Sequence, residues 1–180
     1  MPSLAATIES AGVVRRVIGV ARFSDAAVRG RLEAWGVETI AADLLDRRQL
    51  AQLPDAPLVI YMAGRKFGST GQESLTWALN AFLPGLVCER YAASRIVAFS
   101  SGNVYGYVPI ASGGSRETDP LQPVGEYAMS CLGRERMFEH FARARGTPTA
   151  IIRLNYACEL RYGVLVDLAL KVWHEQPIDL

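Results

Sequence analysis

The chain has 180 residues, of which 50% are hydrophobic and 21% charged, and its formal net charge is +1. This length and apolar content suit a single domain with one sizeable core. The near-neutral balance, with no basic run along one face, excludes the electrostatic footprint of a nucleic-acid-binding protein. No apolar stretch reaches the roughly 20 residues that span a bilayer and the N-terminus lacks a signal pattern, so we expect no membrane segment.

The three cysteines are Cys88, Cys131 and Cys158. Their odd number, and their positions within or beside apolar patterns, do not suit the disulfide framework of a secreted domain. We therefore predict a reducing, cytoplasmic location and free thiols, and we predict no metal site.

The first quarter of the chain alternates helical and extended patterns. Helical spacing over residues 4–11 predicts the end of a helix that stops at Gly12. A strand follows over 15–21, then a helix over 25–35 and a strand over 37–41. The segment after this strand is predicted to be a polar turn.

The rest of the chain continues the alternation. The apolar run at 58–62 predicts a strand buried on both faces. A long helix over 72–93, with a kink at Pro84, leads to a strand at 95–99. A loop then precedes further elements, predicted as a helix at 124–144, a strand at 149–154 and a helix at 164–173. Strands that alternate with helices predict a parallel sheet with right-handed crossovers.

Three short patterns lie in order on these elements. The sequence Ser-Ser-Gly-Asn-Val-Tyr-Gly at 100–106 directly follows a strand, and the segments 117–120 and 123–127 lead into a helix that begins near Tyr127. Asn80 lies in the long helix that follows the Ala-Gly turn at 63–64. Together these patterns resemble the extended short-chain dehydrogenase/reductase family of the epimerase/dehydratase type, from Leu4 to Leu180.

The resemblance implies a Rossmann-like, doubly wound parallel sheet in three α/β/α layers, forming one NAD(P)-binding domain over residues 1–180. It implies hydride transfer on a sugar nucleotide or a similar hydroxyl or carbonyl substrate. Tyr127 would give or take the proton and Ser101 would hydrogen-bond the same oxygen, with Asn80 as the third catalytic position. By themselves, such a tyrosine is more often a packing residue and such a serine a turn residue.

The resemblance also places a cofactor. Arg22 follows a strand where NAD-using members carry an acid, which implies NADP over NAD because a guanidinium pairs with a 2′-phosphate. Asp43 and Leu44 match an adenine-contacting pair. The alternatives are a solvated charge for Arg22, and a helix cap followed by a core leucine for the pair.

Three further cofactor positions lie later in the chain. Ala63 and Gly64 form the turn after the 58–62 strand, and Asn155 follows the last strand, where the family turns toward nicotinamide and substrate. For Asn155 the alternative is an ordinary turn residue.

The sequence departs from the family at both ends. Nothing before Leu4 supplies the first strand and glycine-rich turn that hold the pyrophosphate in the family, and little follows Pro177 to form the substrate lobe. We therefore expect cofactor binding to be impaired or lost. In the family's strand order the absent strand is central, so either the sheet pairs differently or another segment or chain fills that position.

A third departure lies in the active-site helix. The family's Tyr-x-x-x-Lys becomes Tyr127 followed by Cys131, so the ammonium that lowers the pKa of the phenol is absent. Arg134 and Lys66 are candidates to replace part of its role. For Cys131, a buried inert thiol is favoured over a reactive one.

Two functions remain open from the sequence. One is an impaired epimerase, dehydratase or reductase, and the other is a pseudoenzyme or interaction domain, which is favoured for the 180 residues as they stand. The resemblance further implies a homodimer formed by the helices of Asn80 and Tyr127. Six apolar residues are candidates for its surface, with intrachain core as the alternative: Leu79, Leu86, Cys88, Met137, Phe138 and Phe141.

Overall fold

A computed structural model describes residues 11–12, 16–66, 70–155 and 163–178. The helix predicted at 4–11 therefore lies almost wholly outside the described residues, as does Cys158. The chain divides into two compact units, Met1–Asp55 and Ala56–Leu180. In the described residues no helix is both long and apolar enough to cross a membrane.

The first unit contains a two-stranded parallel sheet and two helices. Strand β1 pairs with β2 in a register that runs from Ile18 opposite Glu38 to Ala21 opposite Ala41. The elements are β1 Ile18–Ala21, α1 Ala26–Ala34, β2 Glu38–Ala41 and α2 Arg47–Gln52.

Helix α2 corrects the prediction of a polar turn after β2. Asp46 caps it by accepting hydrogen bonds from the backbone N–H groups of Arg48 and Gln49, at 2.8 and 3.3 Å. The helix has six residues and buries only Leu50. Helical periodicity cannot show in so short a segment, and the cap was the available signal.

The second unit contains a three-stranded sheet in the order β3-β4-β5, with both pairs parallel. Its elements are β3 Leu58–Tyr61, α3 Glu73–Trp77, a π-helical turn Ala78–Phe82, α4 Leu83–Arg90, β4 Arg95–Ser101, α5 Gly125–Arg145, β5 Thr149–Leu154 and α6 Val164–Trp173. The predicted alternation of strands and helices with parallel pairing is thus present.

Helix α5 packs on one face of this sheet. Phe138 of α5 is 1% exposed, and its ring meets the ring of Tyr61 edge-on at 5.2 Å. Ile96 and Ala98 of β4 are each 1% exposed. They lie on the same face as Tyr61, because Ala98 is the partner of Tyr61 in the parallel register. This face carries the core of the unit.

The prediction that β3 is buried on both faces is wrong. Tyr61 is 4% exposed, whereas Leu58 and Ile60 are 61% and 39% exposed. Ile152 and Leu154 of β5 are also exposed. A continuous apolar run shows that both faces of a strand can be buried, but burial requires a second covering layer, which the described part of this unit lacks.

Candidate functional site

Ser101 and Tyr127 meet at the carboxyl edge of the parallel sheet. Ser101 is the last residue of β4, and Tyr127 lies in the first turn of α5, which begins at Gly125 with a positive φ of 82°. The two side chains lie close enough for the Ser101 hydroxyl to act to lower the pKa of Tyr127, while that hydroxyl itself donates to Oδ1 of Asn103 at 3.1 Å. The predicted pair is therefore brought together.

The loop between these residues is closed on itself. Tyr105 and Leu121 form an isolated antiparallel bridge, and the N–H of Gln122 donates to the carbonyl of Val104 at 3.0 Å. Val104 is fully buried. These contacts return the chain to the end of β4 just before α5 begins, and this return places Tyr127 beside Ser101.

The pKa of Tyr127 is raised above the ordinary value for a phenol. The largest cause is burial, followed by the neighbouring Cys131 thiol; the hydrogen bond with Ser101 and the charge of Arg134 oppose the rise. A phenol of this kind is protonated at neutral pH.

Cys131 occupies the position where the family motif has lysine. It is 0% exposed, and burial raises the pKa of its thiol. A buried, protonated thiol suits the inert alternative, because reactive cysteines are accessible and carry a depressed pKa.

A cavity of about 330 Å³ opens beside Tyr127. Its lining includes Asn103 from the turn after β4, and the start of α5 contributes Val124 to Ala128. Glu73 and Thr70 close the other side. The cavity therefore provides an open space next to the phenol, with a mixed polar and apolar wall, that is large enough for part of a small substrate.

Asn80 lies at the centre of a buried hydrogen-bond network. It is 0% exposed, and its Oδ1 accepts from the N–H of Arg65 at 2.7 Å and from Nη2 of Arg134 at 2.9 Å. Its Nδ2 donates to the carbonyl of Arg65 and to Oγ of Ser130, each at 2.9 Å. All the hydrogen-bonding capacity of the amide is thus used within the protein. Asn80 links three segments and does not face the cavity lining.

The other predicted positions of the second unit lie at the ends of its strands. Ala63 and Gly64 follow β3, in the turn whose next residue, Arg65, is fixed by Asn80. Asn155 follows β5 and packs on Gly102, where a Cβ atom would lie 1.7 Å from its Oδ1. Glycine at 102 therefore allows Asn155 to lie over the turn after Ser101.

The first unit holds the remaining predicted cofactor residues. Arg22 is exposed, and it and Asp43 follow the carboxyl ends of the paired strands β1 and β2. Asp43 Oδ1 accepts from the N–H of Leu45 at 3.0 Å, which makes a local turn, while the helix cap is Asp46. Leu44 is half-buried.

A buried ion pair beneath the site was not predicted. Glu135 of α5 is 1% exposed and accepts from Nη2 of Arg153 at 2.8 Å and from its Nε at 3.0 Å. Nη1 of Arg153 donates to the Tyr105 hydroxyl at 2.7 Å. These bonds raise the pKa of Arg153. The available signal was an arginine inside a predicted strand, because an arginine in a sheet that is covered by a helix requires a partner.

Half of the proposed dimer-surface residues belong to the core of the chain. Leu86, Cys88 and Phe138 are 4%, 1% and 1% exposed. The intrachain alternative therefore holds for these three.

Burial raises the pKa of the Cys88 thiol to about 12. Among the described residues, no cluster of His, Cys, Asp or Glu side chains could hold a metal ion.

Parallel strands joined by helices, with a serine and a tyrosine meeting at their carboxyl edge, define a Rossmann-type α/β protein. The chain belongs to the NAD dependent epimerase/dehydratase family, whose model matches residues 3–158. No curated protein matches it in sequence.

Solved structures share this fold. UDP-glucuronic acid 4-epimerase from Bacillus cereus, in complex with NAD, is 16% identical with a TM-score of 0.73, over 98% of this chain and 61% of that one. DesIV, a dTDP-glucose 4,6-dehydratase from Streptomyces venezuelae solved as a double mutant with NAD and DAU, is 18% identical with a TM-score of 0.75, over 96% and 59%. RMD from Pseudomonas aeruginosa, complexed with NADPH, is 21% identical with a TM-score of 0.63, over 78% and 54%. The chain thus spans just over half the length of these proteins.

Proposed function

We propose that this protein carries out NAD(P)-dependent hydride transfer on a hydroxyl or carbonyl group, with a sugar nucleotide as the substrate class, and at a reduced rate. The observation that carries the proposal is the meeting of Ser101 and Tyr127 beside a cavity at the carboxyl edge of a parallel sheet. The family membership supports the same chemistry.

The two side chains have complementary roles at the reacting oxygen. The protonated phenol of Tyr127 gives its proton to an alkoxide that forms as a carbonyl is reduced, and the Ser101 hydroxyl hydrogen-bonds the same oxygen. In the reverse direction the phenol must first lose its proton. Because burial raises its pKa and position 131 carries no ammonium, alcohol oxidation is the impaired direction.

The residues present suit a nicotinamide cofactor, which when bound supplies or accepts the hydride at the substrate carbon. Ala63 and Gly64 carry no large side chain, and Asn80 fixes the backbone after them, so this turn would contact the nicotinamide end of the cofactor. Asn155 at the end of β5 would contact the same end of the cofactor.

Arg22 is the basis for preferring NADP to NAD, since its exposed guanidinium can pair with a 2′-phosphate. Asp43 and Leu44 follow the neighbouring strand and would contact the adenine. The family model matches residues 3–158, which supports the proposal of one dinucleotide-binding domain over residues 1–180.

A second candidate function is a catalytically inactive interaction domain. The observation that favours it is Cys131, a fully buried thiol in place of the motif's lysine. A homodimer in the cytoplasm suits either function. The exposed Phe82, on the helix of Asn80, is an apolar side chain available for such a dimer. The described cysteines, Cys88 and Cys131, are free thiols, which accords with a reducing compartment. Sedimentation of the purified protein tests the dimer.

Fluorescence titration with NADPH and with NADH distinguishes the two functions. We expect saturable binding that is tighter for NADPH than for NADH, and we expect Arg22→Ala to lose that preference. Arg31→Ala, another arginine of the first unit, is the matched control and should keep it. The absence of binding at millimolar cofactor would leave the inactive interaction domain as the function of this chain.

A further inference from the structure

Arg134 is a buried cation whose hydrogen bonds, among the described residues, go to carbonyl and amide oxygens, and its guanidinium lies 5.9 Å from the centre of the Tyr61 ring. The residue is 7% exposed and lies on α5, seven positions after Tyr127 and therefore on nearly the same helix face. Its Nη1 donates to the carbonyl of Phe99 at 2.9 Å, and its Nη2 donates to Oδ1 of Asn80 at 2.9 Å. Among the described residues no carboxylate pairs with it. Its positive charge is therefore not neutralised locally.

Two other residues make room for this guanidinium. A Cβ atom at Gly64 would lie 2.2 Å from Nη2 of Arg134, so the position admits only glycine while the arginine is seated. Pro84 has no N–H to donate to the carbonyl of Asn80 four residues earlier. That carbonyl accepts from Nε of Arg134 at 3.4 Å instead.

The charge of Arg134 affects the pKa of neighbouring side chains. It opposes the rise in the pKa of Tyr127 and of Cys131 on α5, and it acts in the same direction on Tyr61 at the end of β3. Burying a cation without a carboxylate partner is costly, because dipoles replace only part of its hydration. The same low-dielectric surroundings strengthen its effect on a neighbouring anion.

We propose that Arg134 is a positioning residue that supplies the positive charge of the site, stabilising the phenolate of Tyr127 in place of the ammonium that position 131 lacks. Through Asn80 it also holds the turn at Arg65 and the backbone of α5. This inference rests on the proposed function for its role in turnover, but the charge effect exists in the free protein.

Titration of Tyr127 by NMR tests the charge effect without substrate or cofactor. The chain has seven tyrosines. Labelling them with ¹³C at Cζ and comparing with Tyr127→Phe identifies the resonance. The other titratable groups around the phenol are Cys131 on α5 and the carboxylates of Glu73 and Glu126, which line the same cavity. These are unchanged in the variants that follow.

We expect Arg134→Met to raise the pKa of Tyr127 by about one unit, and Arg134→Lys, which keeps the charge, to raise it less. Arg136→Met removes an exposed arginine of the same helix and should leave the pKa unchanged. An equal rise in the lysine and methionine variants, or no rise in a folded Arg134→Met, overturns the proposal.

Gly64→Ala provides a second test if Arg134→Met does not fold. It keeps the charge but displaces the guanidinium, and a raised Tyr127 pKa supports the proposal while an unchanged one overturns it. NADPH titration of the unmodified protein distinguishes a failure of the proposed function from a failure of the role proposed for Arg134. If that binding fails, the proposed function fails, and the Tyr127 titration still decides the role of Arg134.

Discussion

The amide of Asn80 donates to the hydroxyl of Ser130 at 2.9 Å, and that hydroxyl donates to the carbonyl of Tyr127 at 2.8 Å. These two bonds connect the π-helical turn that contains Asn80 to the first turn of α5. Both Asn80 and Ser130 are fully buried. The orientation of the tyrosine backbone thus depends on a residue 47 positions earlier in the chain.

Asn80→Ala should destabilise the protein by about 2 to 4 kcal/mol, because it removes the buried amide that hydrogen-bonds the backbone of Arg65, the hydroxyl of Ser130 and the guanidinium of Arg134. Urea denaturation followed by circular dichroism measures the change. Asn103→Ala removes an exposed asparagine and should cost less than about 1 kcal/mol. Equal costs in the two variants would contradict the network.

Glu135→Gln should destabilise the protein by about 2 kcal/mol or more, since it leaves the charge of Arg153 in a largely buried position. The matched variant is Glu139→Gln on the same helix, which breaks an exposed pair with Arg136. It should cost less than about 0.5 kcal/mol. A Glu135→Gln protein as stable as the control would show that the buried pair contributes nothing net.

Gly102→Ala should displace Asn155 while changing stability by less than about 1 kcal/mol, because Asn155 is exposed and free to turn outward. If Asn155 contacts cofactor or substrate, turnover should fall by about 10-fold to 100-fold. Gly30→Ala, in α1 with nothing near its Cβ position, should leave turnover unchanged. Initial rates with NADPH measure both, and unchanged turnover in Gly102→Ala would remove Asn155 from the site.

Turnover in the alcohol-oxidising direction should rise with pH up to and beyond about pH 10, the ordinary pKa of a phenol. The sign follows from Tyr127: its pKa is raised, so the phenolate needed as base becomes abundant only at alkaline pH. The rate of carbonyl reduction should be independent of pH from about pH 6 to about pH 9, because this direction uses the phenol, which stays protonated over that range. Tyr127→Phe should lose about 100-fold or more in both directions.

Cys131→Lys should shift the oxidation profile to lower pH by about 1 to 3 units, because an ammonium one helical turn from the phenol stabilises the phenolate. Position 131 is 0% exposed, so the larger side chain should also cost about 1 to 3 kcal/mol of stability. Cys131→Ala separates the two effects, since it removes the thiol without adding charge. An unshifted profile in a folded lysine variant would mean that the missing ammonium does not limit oxidation.

Much of the fold was predictable because local patterns decide it. The strand at Arg95–Ser101 and the helix Gly125–Arg145 each show their type within their own residues, and alternation of the two kinds of element predicts parallel pairing. The meeting of Ser101 and Tyr127 followed from a motif with fixed positions on these elements.

The order and type of most elements, and the positions of the serine and the tyrosine on them, thus follow from the sequence. Packing sets the contact of Arg134 with Gly64 and the pairing of Glu135 with Arg153, and it leaves one face of β3 open. Periodicity and caps act within a few residues, whereas these contacts join segments that are distant in the chain. No local pattern specifies which buried charge meets which partner.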